Sequence, residues 1–177
     1  MATPTIAKDR LEQRFKLWDT NGDGVIDRSD FEAEAKKIVS AFGEDENTPR
    51  AVQVVTAFQQ MWDFLAGKLG TSSMSLEQFK KVSLDQIISQ GDAGFAQVLR
   101  PTIQAIVTLC DIDGDGRIDP REFGNWLRAI GADPARAEEL FQRVDANGDG
   151  YLSVDELVRA VQDYHEGKLD VSLLGGA

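Results

Sequence analysis

Thirteen of the chain's 30 acidic residues crowd into three short segments, and each segment carries the tripeptide Gly-Asp-Gly. The first holds Asp19, Asp23, Asp27 and Asp30, the second Asp111, Asp113, Asp115, Asp119 and Glu122, the third Asp145, Asp149, Asp155 and Glu156. Carboxylates packed this closely repel and raise one another's pKa unless a cation cancels the charge. Solvated acidic turns would show a similar composition, because Gly, Asn and Asp are ordinary turn residues. The spacing decides between the two. In the second segment acids stand at positions 1, 3, 5, 9 and 12, with Gly116 at position 6. Alternate positions can aim oxygens at one centre, and the glycine permits the sharp turn this needs. The backbone carbonyl of Arg117, at position 7, can point inward whatever its side chain, and Glu122 is long enough to close the sphere with both oxygens. A donor set of oxygen alone suits a hard cation, calcium or magnesium.

This is the spacing of the EF-hand loop. The third segment repeats it, with Asp145, Asn147, Asp149, the carbonyl of Tyr151, Ser153 and Glu156 at positions 1, 3, 5, 7, 9 and 12 around Gly150. The first segment offers Asp19, Asn21, Asp23, the carbonyl of Val25 and Asp27, but ends on Asp30 where the others have Glu. Aspartate is one methylene shorter, so closure by two oxygens is harder. The expectation is a tighter site of lower coordination that tolerates magnesium better, since magnesium takes fewer, closer oxygens; a loop that binds nothing is the alternative. Three calcium ions are thus the expected ligands, with magnesium competing most at the Asp19–Asp30 loop.

Amphipathic helices must hold these loops. Leu11, Phe15 and Trp18 recur at helical spacing before the first, and Phe31, Ala35, Ile38 and Phe42 follow it. Val98, Leu99, Ile103, Ile106, Val107 and Cys110 precede the second acidic loop, in a run that Pro101 is expected to kink or delay. Phe123, Trp126, Leu127 and Ile130 follow, closed by Gly131. Asp133-Pro134 supplies an N-cap and first-turn proline ahead of Leu140, Phe141 and Val144, and Leu157, Val158, Val161 and Tyr164 follow the last loop. These are helical periods, not strand alternation.

EF-hands pair, so three imply a fourth between residues 43 and 95. Thr48-Pro49 opens a helix carrying Val54, Val55, Phe58, Met61, Trp62 and Leu65, and Ser75 to Gln78 forms a capping box opening another. Aligning Phe79 with Phe31 and Phe123 makes Gly67 position 1, puts Leu69, Thr71 and Ser72 at 3, 5 and 6, and Gln78 at 12. No carboxylate ligand remains, so this hand is read as metal-free with its helices kept. Met74 falls at position 8, matching Ile26, Ile118 and Leu152, the residue that links paired loops by a short strand. The expected fold is all-α: two EF-hand pairs packed into one compact globule, residues 1–90 (first hand active, second metal-free) and 91–177 (both active, plus a tail), with short β-bridges between paired loops.

The composition excludes other classes. A net charge of −11 argues against nucleic acid and against an anionic membrane surface. One cysteine, Cys110, forbids an intramolecular disulfide or multi-cysteine zinc site, and one histidine, His165, forbids a histidine cluster. No nucleophile, base or phosphate loop stands out, so no enzyme is expected. The first residues lack an apolar stretch, which argues against a secretory signal, Ala2 excludes N-myristoylation, and no apolar run approaches a membrane span. A soluble, cytoplasmic monomer is expected, although a mature secreted form would read the same. Cys110 reads as a core residue, His165 as a helix-end residue that complements the helix dipole, and Trp18 as an optical reporter of the first loop.

The opening Asp9-Arg10-Leu11, Arg14-Phe15 and Trp18-Asp19, the closing His165 to Val171, the three active loops and the degenerate second hand together resemble the sarcoplasmic calcium-binding proteins and their prokaryotic, calerythrin-type relatives. The resemblance spans essentially the whole chain. It implies a compact two-lobed helical protein that binds three calcium ions and serves as a buffer or transporter of cytosolic calcium. The alternative is a sensor that opens an apolar groove for a partner protein. Sensors use Met-rich grooves, whereas this chain has three methionines, two of them (Met61 and Met74) in the silent hand, and no long charged linker. The tail residues Leu169, Val171, Leu173 and Leu174 either fill the cleft a target would occupy or fray as chain ends do. Three divalent ions would carry the net charge from −11 to −5, so metal binding is expected to be linked to folding, with the metal-free form looser.

Overall fold

The structure, a computed structural model, describes residues 4–171 and Leu173. Ala2 and Leu174 lie outside the described residues. Helix α1 (Pro4–Trp18) leads into loop one, which ends in strand β1 (Val25–Asp27) and helix α2 (Arg28–Ala41). Helix α3 (Pro49–Leu69), strand β2 (Ser73–Ser75) and helix α4 (Leu76–Ser83) form the second hand. A π-helical turn (Leu84–Ile88) hands over to α5 (Gly91–Cys110), and α6 (Pro120–Ala129) leaves the third loop. A 3-10 turn (Pro134–Arg136), α7 (Ala137–Val144) and α8 (Val154–His165) complete the fourth hand.

The pairing of loops follows the apolar residues at loop position 8. Strands β1 and β2 run antiparallel with Ile26 opposite Met74, and Ile118 forms an antiparallel bridge with Leu152. All four side chains are fully buried. The fold is thus helical with short β-links between paired loops, as the spacing predicts.

Each hand's exit helix begins on the same device. The side chains of Asp27, Ser75, Asp119 and Ser153 accept the backbone N–H three residues on, and Asp30, Gln78, Glu122 and Glu156 reach back to the cap's own N–H. These reciprocal bonds satisfy two donors that a helix N-terminus would otherwise leave unpaired. The following residue, Phe31, Phe79, Phe123 or Leu157, is buried in every case.

Expectations about element boundaries need correction. The delay expected at Pro101 does not occur: α5 runs from Gly91 through it to Cys110, with Pro101 on an exposed face. Asp133 caps the 3-10 turn, accepting from the N–H of Ala135, and α7 starts only at Ala137. Gly67 and Leu69 are not loop positions, because α3 continues through Leu69 and stops at left-handed Gly70 (φ 65°). The second hand's connection shrinks to residues 70–72, where the first hand has 19–24. No curl of alternate oxygens fits in that length.

The two pairs close on each other. Helix α5 lies along α3 of the first pair and α8 of its own, and α1 meets α8. Across the latter contact the Tyr164 hydroxyl donates to Gln13 Oε1 at 3.0 Å, and the Arg10 guanidinium sits 4.3 Å from the Tyr164 ring centroid. The apolar interior runs unbroken between the pairs. One small cavity of about 30 Å³ lies there, lined in part by Trp18, Met61, Phe79, Phe95 and His165.

His165 does not complement the helix dipole. It is 4% exposed, packs against Phe95 and Tyr164, and its Nδ1 meets the Val161 carbonyl at 2.9 Å. Burial, with the charge of Arg14 adding to it, pulls its pKa down to about 3, so the ring is neutral. Arg14 is buried as well, and desolvation pulls its pKa down to about 10. Cys110 is a core residue as expected, its thiol pushed well up by burial. The tail is anchored: Leu169 and Leu173 are buried, and the Trp126 indole N–H donates to the Leu173 carbonyl at 2.9 Å.

Candidate calcium loops

Every loop curls around its first aspartate. Asp111 accepts the backbone N–H of Gly114, Asp115 and Gly116 at 2.9, 3.2 and 2.8 Å. Asp19 accepts from Asp23 and Gly24 at 3.1 and 2.9 Å, and Asp145 from Gly150 at 3.0 Å. The chain can fold back this tightly because the glycine at position 6 takes a left-handed conformation, with φ of 83°, 78° and 83° at Gly24, Gly116 and Gly150. Positions 3 and 5 are held likewise: Asn21, Asp113 and Asn147 accept the N–H of Asp23, Asp115 and Asp149. In turn Asp23, Asp115 and Asp149 accept the N–H of Val25, Arg117 and Tyr151. Backbone amides thus hold the carboxylates facing one another.

In the third loop one oxygen each from Asp111, Asp113 and Asp115 lie within 4.8 Å of one another, and so do oxygens of Asp113, Asp119 and Glu122. The Asp115 N–H pulls the Asp113 carboxyl down, yet desolvation and the neighbouring Asp111 and Asp115 carboxylates together push it up. That is the electrostatic signature of a cluster short of positive charge. In the fourth loop Asp145 Oδ1 is buried and has no hydrogen-bond partner, an orphaned acceptor on a carboxylate whose other oxygen is satisfied. Buried acceptors normally find a donor. An oxygen-only set, an unpartnered buried oxygen and mutually repelling carboxylates all fit a hard cation.

Position 12 separates the loops. Glu122 accepts the N–H of Asp119 at 3.0 Å and reaches across to the N–H of Ile112, at position 2, at 2.9 Å. Glu156 spans the corresponding amides of Ser153 and Ala146 at 2.9 and 3.1 Å. Asp30 accepts the N–H of Asp27 at 3.0 Å, but at position 2 it meets the hydroxyl of Thr20 at 3.0 Å. The hydroxyl makes up the reach that the missing methylene takes away. Asp30 is 2% exposed, and burial raises its carboxyl above the usual range. Sequence reasoning missed Thr20; a hydroxyl at position 2 opposite a shortened position 12 is the signal that would have found it. The reading of positions 9 and 12 as ligands also overlooked their second duty as helix caps, which Ser75 and Gln78 keep without any carboxylate.

Trp18, directly before Asp19, is buried 4.5 Å from Phe31 and 5.9 Å from Phe79 between ring centroids. At position 7 of the last two loops the Arg117 guanidinium stacks 3.8 Å over the Tyr151 ring.

Four helix-loop-helix hands joined pairwise through their loops define an EF-hand calcium-binding protein. The family model of the EF-hand domain pair matches residues 101–170, and that of a single EF hand matches residues 11–33. The chain is 44% identical over 176 residues to calerythrin of Saccharopolyspora erythraea, a match covering 98% of this chain and 99% of calerythrin. This chain belongs to the calerythrin family of EF-hand proteins. A Streptomyces coelicolor calcium-binding protein, described in connection with prokaryotic calcium-mediated regulation, superposes with a TM-score of 0.73 at 28% identity, covering 90% of this chain and 98% of that one. Calcium-loaded apo-aequorin from Aequorea victoria shares the fold with a TM-score of 0.74 at 19% identity, over 92% and 91% of the two chains. Among the described residues no helix is long and apolar enough to cross a membrane.

Proposed function

We propose that the chain is a cytoplasmic, monomeric calcium buffer that holds three ions and exposes no new surface when it loads. The ligands are Asp19, Asn21, Asp23, the Val25 carbonyl, Asp27 and Asp30; Asp111, Asp113, Asp115, the Arg117 carbonyl, Asp119 and Glu122; and Asp145, Asn147, Asp149, the Tyr151 carbonyl, Ser153 and Glu156. Magnesium competes most in the first loop, where the short Asp30 carboxylate is already engaged by Thr20. Residues 1–90 and 91–177 act as two pairs joined along α3 and α5. The calcium is cargo, and no catalytic step is part of this reading.

One observation carries the choice of buffer over sensor. The apolar face of the second pair is covered from within the chain, by Leu169 and Leu173 with the Trp126 indole bonded to the tail. A groove for a partner helix would have to evict them. The description of the Streptomyces relative in terms of calcium-mediated regulation favours the sensor as a second reading.

The test is a calcium titration in physiological magnesium, with ion stoichiometry and binding of a dye for apolar surface followed together. Three ions and falling dye binding support the buffer, and Glu122→Gln and Glu156→Gln each lose one ion. Dye binding that rises at saturation overturns the buffer in favour of the sensor.

A further inference from the structure

The two loop pairs are tied together unequally. Loops one and two share a ladder of three residue pairs, Val25–Ser75, Ile26–Met74 and Asp27–Ser73. Loops three and four share only the bridge between Ile118 and Leu152. Beside that single bridge, position 7 carries Arg117 and Tyr151, where the first pair has Val25 and Ser73. Because Ile118 faces Leu152, Arg117 and Tyr151 are diagonal neighbours on the opposite, solvent side, a separation that only long or aromatic side chains span. They span it: the guanidinium carbon is 3.8 Å from the ring centroid. The same guanidinium lies 3.6 Å from Asp115 Oδ2, in loop three.

One cation is therefore shared between a carboxylate of loop three and a ring of loop four. We propose that the Arg117–Tyr151 stack couples the two loops, so that loading of loop three is felt in loop four and the reverse. This rests on the proposed ligand set, in which Asp115 and both position-7 carbonyls hold the ions. When Asp115 gives its charge to a cation in its own loop, its hold on the guanidinium weakens and the ring of Tyr151 keeps it. The stack then pins the Tyr151 backbone, whose carbonyl belongs to the proposed ligand set of loop four. Coupling of this kind is reciprocal. An exposed cation–π contact is of a size to change the ratio of the two binding constants about two- to fivefold. Arg117 and Tyr151 are thus positioning residues, acting through their own backbone carbonyls.

The test is a double-mutant cycle in the full chain. Arg117→Met removes the charge and Tyr151→Leu the ring, while both keep the backbone carbonyl; Tyr151→Phe keeps the ring face. Stepwise calcium constants are measured for the last two loops. The expected result is that either change lowers the ratio of second to first constant about two- to fivefold, that the double variant goes no further, and that Tyr151→Phe restores the ratio. A merely structural role would weaken both constants and leave their ratio alone. A second readout uses 3-fluorotyrosine, since the chain has two tyrosines, Tyr151 and Tyr164. In a Glu156→Gln background, filling loop three should move the Tyr151 fluorine resonance, and adding Arg117→Met should abolish that movement. Tyr164, under Arg10, is the internal reference. Without calcium, Arg117→Met should already shift the Tyr151 resonance and leave Tyr164 in place. An unchanged ratio in both single variants, with ion counts intact, overturns the coupling alone. If Glu156→Gln loses no ion, the ligand set fails and the coupling falls with it.

Discussion

The tail is the part of the molecule that the buffer reading most depends on, and Leu173→Ala tests it. Leu173 is 1% exposed, and its carbonyl accepts the indole N–H of Trp126, itself fully buried in α6. Truncating a buried leucine to alanine costs about 2–5 kcal/mol when the surroundings stay put and leave a cavity. Here they need not, if the segment after α8 lifts away from the core. The loss is then capped at the free energy with which the tail docks, and the Trp126 N–H is released to water. Truncation after Gly167 removes the same contacts together with buried Leu169. Leu173→Ala and the truncation converge on one reduced stability in either case; if the tail docks as a unit Leu169→Ala matches them, and if it holds by Leu173 alone Leu169→Ala costs little. For a chain of this size each kcal/mol moves the thermal midpoint by about 2–4 °C. Midpoints with calcium and with chelator are the assay, alongside binding of a dye for apolar surface and the emission of Trp126 in a variant lacking the other tryptophans. A loss clearly above about 0.5 kcal/mol, and no larger than about 2–5 kcal/mol, with a rise in dye binding is expected. A change within about 0.5 kcal/mol, the range of an ordinary surface substitution, with Trp126 emission unmoved, refutes the claim that the tail covers the second pair.

Three further outcomes follow from the geometry. Asp30→Glu should raise the calcium preference of the first loop by about tenfold or more, since one added oxygen contact to a charged partner is worth about 1.5–3 kcal/mol; unchanged calcium and magnesium constants by calorimetry sink the account of position 12. His165 stays unprotonated in the folded chain down to about pH 3, while an unfolded histidine takes up its proton near 6.5. Stability from this group is therefore complete above pH 6.5 and lost as pH falls below it, up to about 2 kcal/mol by pH 5; His165→Gln should remove that slope, and denaturation curves at pH 7 and 5 for the two proteins show whether it does. Gly94→Ala would put a Cβ 2.3 Å from the Ile87 carbonyl oxygen and 2.7 Å from Gln90 Cβ. It should cost about 1–3 kcal/mol, and a neutral substitution would mean that the π-helical turn gives way freely.

What the sequence made legible was local. Loop spacing, the position-8 residues that join paired loops, and the caps at Thr48 and Ser75 each depend on a handful of neighbours, and each is where the pattern puts it. The misses concern contacts with other segments, as at His165, and the lengths of helices, as at α3. Nothing near His165 announces that Arg14, Phe95 and Tyr164 will enclose it, so a helix-end position reads as exposed. Gly67 and Leu69 are assigned to a loop because alignment on Phe79 assumes a constant loop length, while α3 continues through Gly67 despite its low helix propensity and stops at left-handed Gly70. Pro101 is tolerated in α5 because its helix is held by burial along α3 and α8 rather than by each backbone bond. The π-helical turn at Leu84–Ile88 has no sequence signature to read, although Gly94 marks where it approaches α5. The ligand positions themselves are legible as residue types. That they also cap helices follows only once positions 9 and 12 are seen to be N-cap and N3.

The cap alone accounts for how the second hand keeps the start of its exit helix. In the second hand Ser75 and Gln78 still exchange the two cap bonds, at 3.3 and 2.9 Å, although neither carries charge. A cap of this kind is worth about 1 kcal/mol on its own. Met74 still lies opposite Ile26, and that pairing supplies strand β1 with partners it could not find elsewhere in its own hand. Deleting the silent hand would expose Ile26 and leave the backbone of Val25 to Asp27 without its ladder, directly beside the Val25 carbonyl and Asp27 of the first loop. The second hand's strand and cap therefore support the first loop without any carboxylate at positions 9 and 12. A hand that kept its carboxylates but lost the position-9 to position-12 box would give up about 1 kcal/mol at the start of its exit helix.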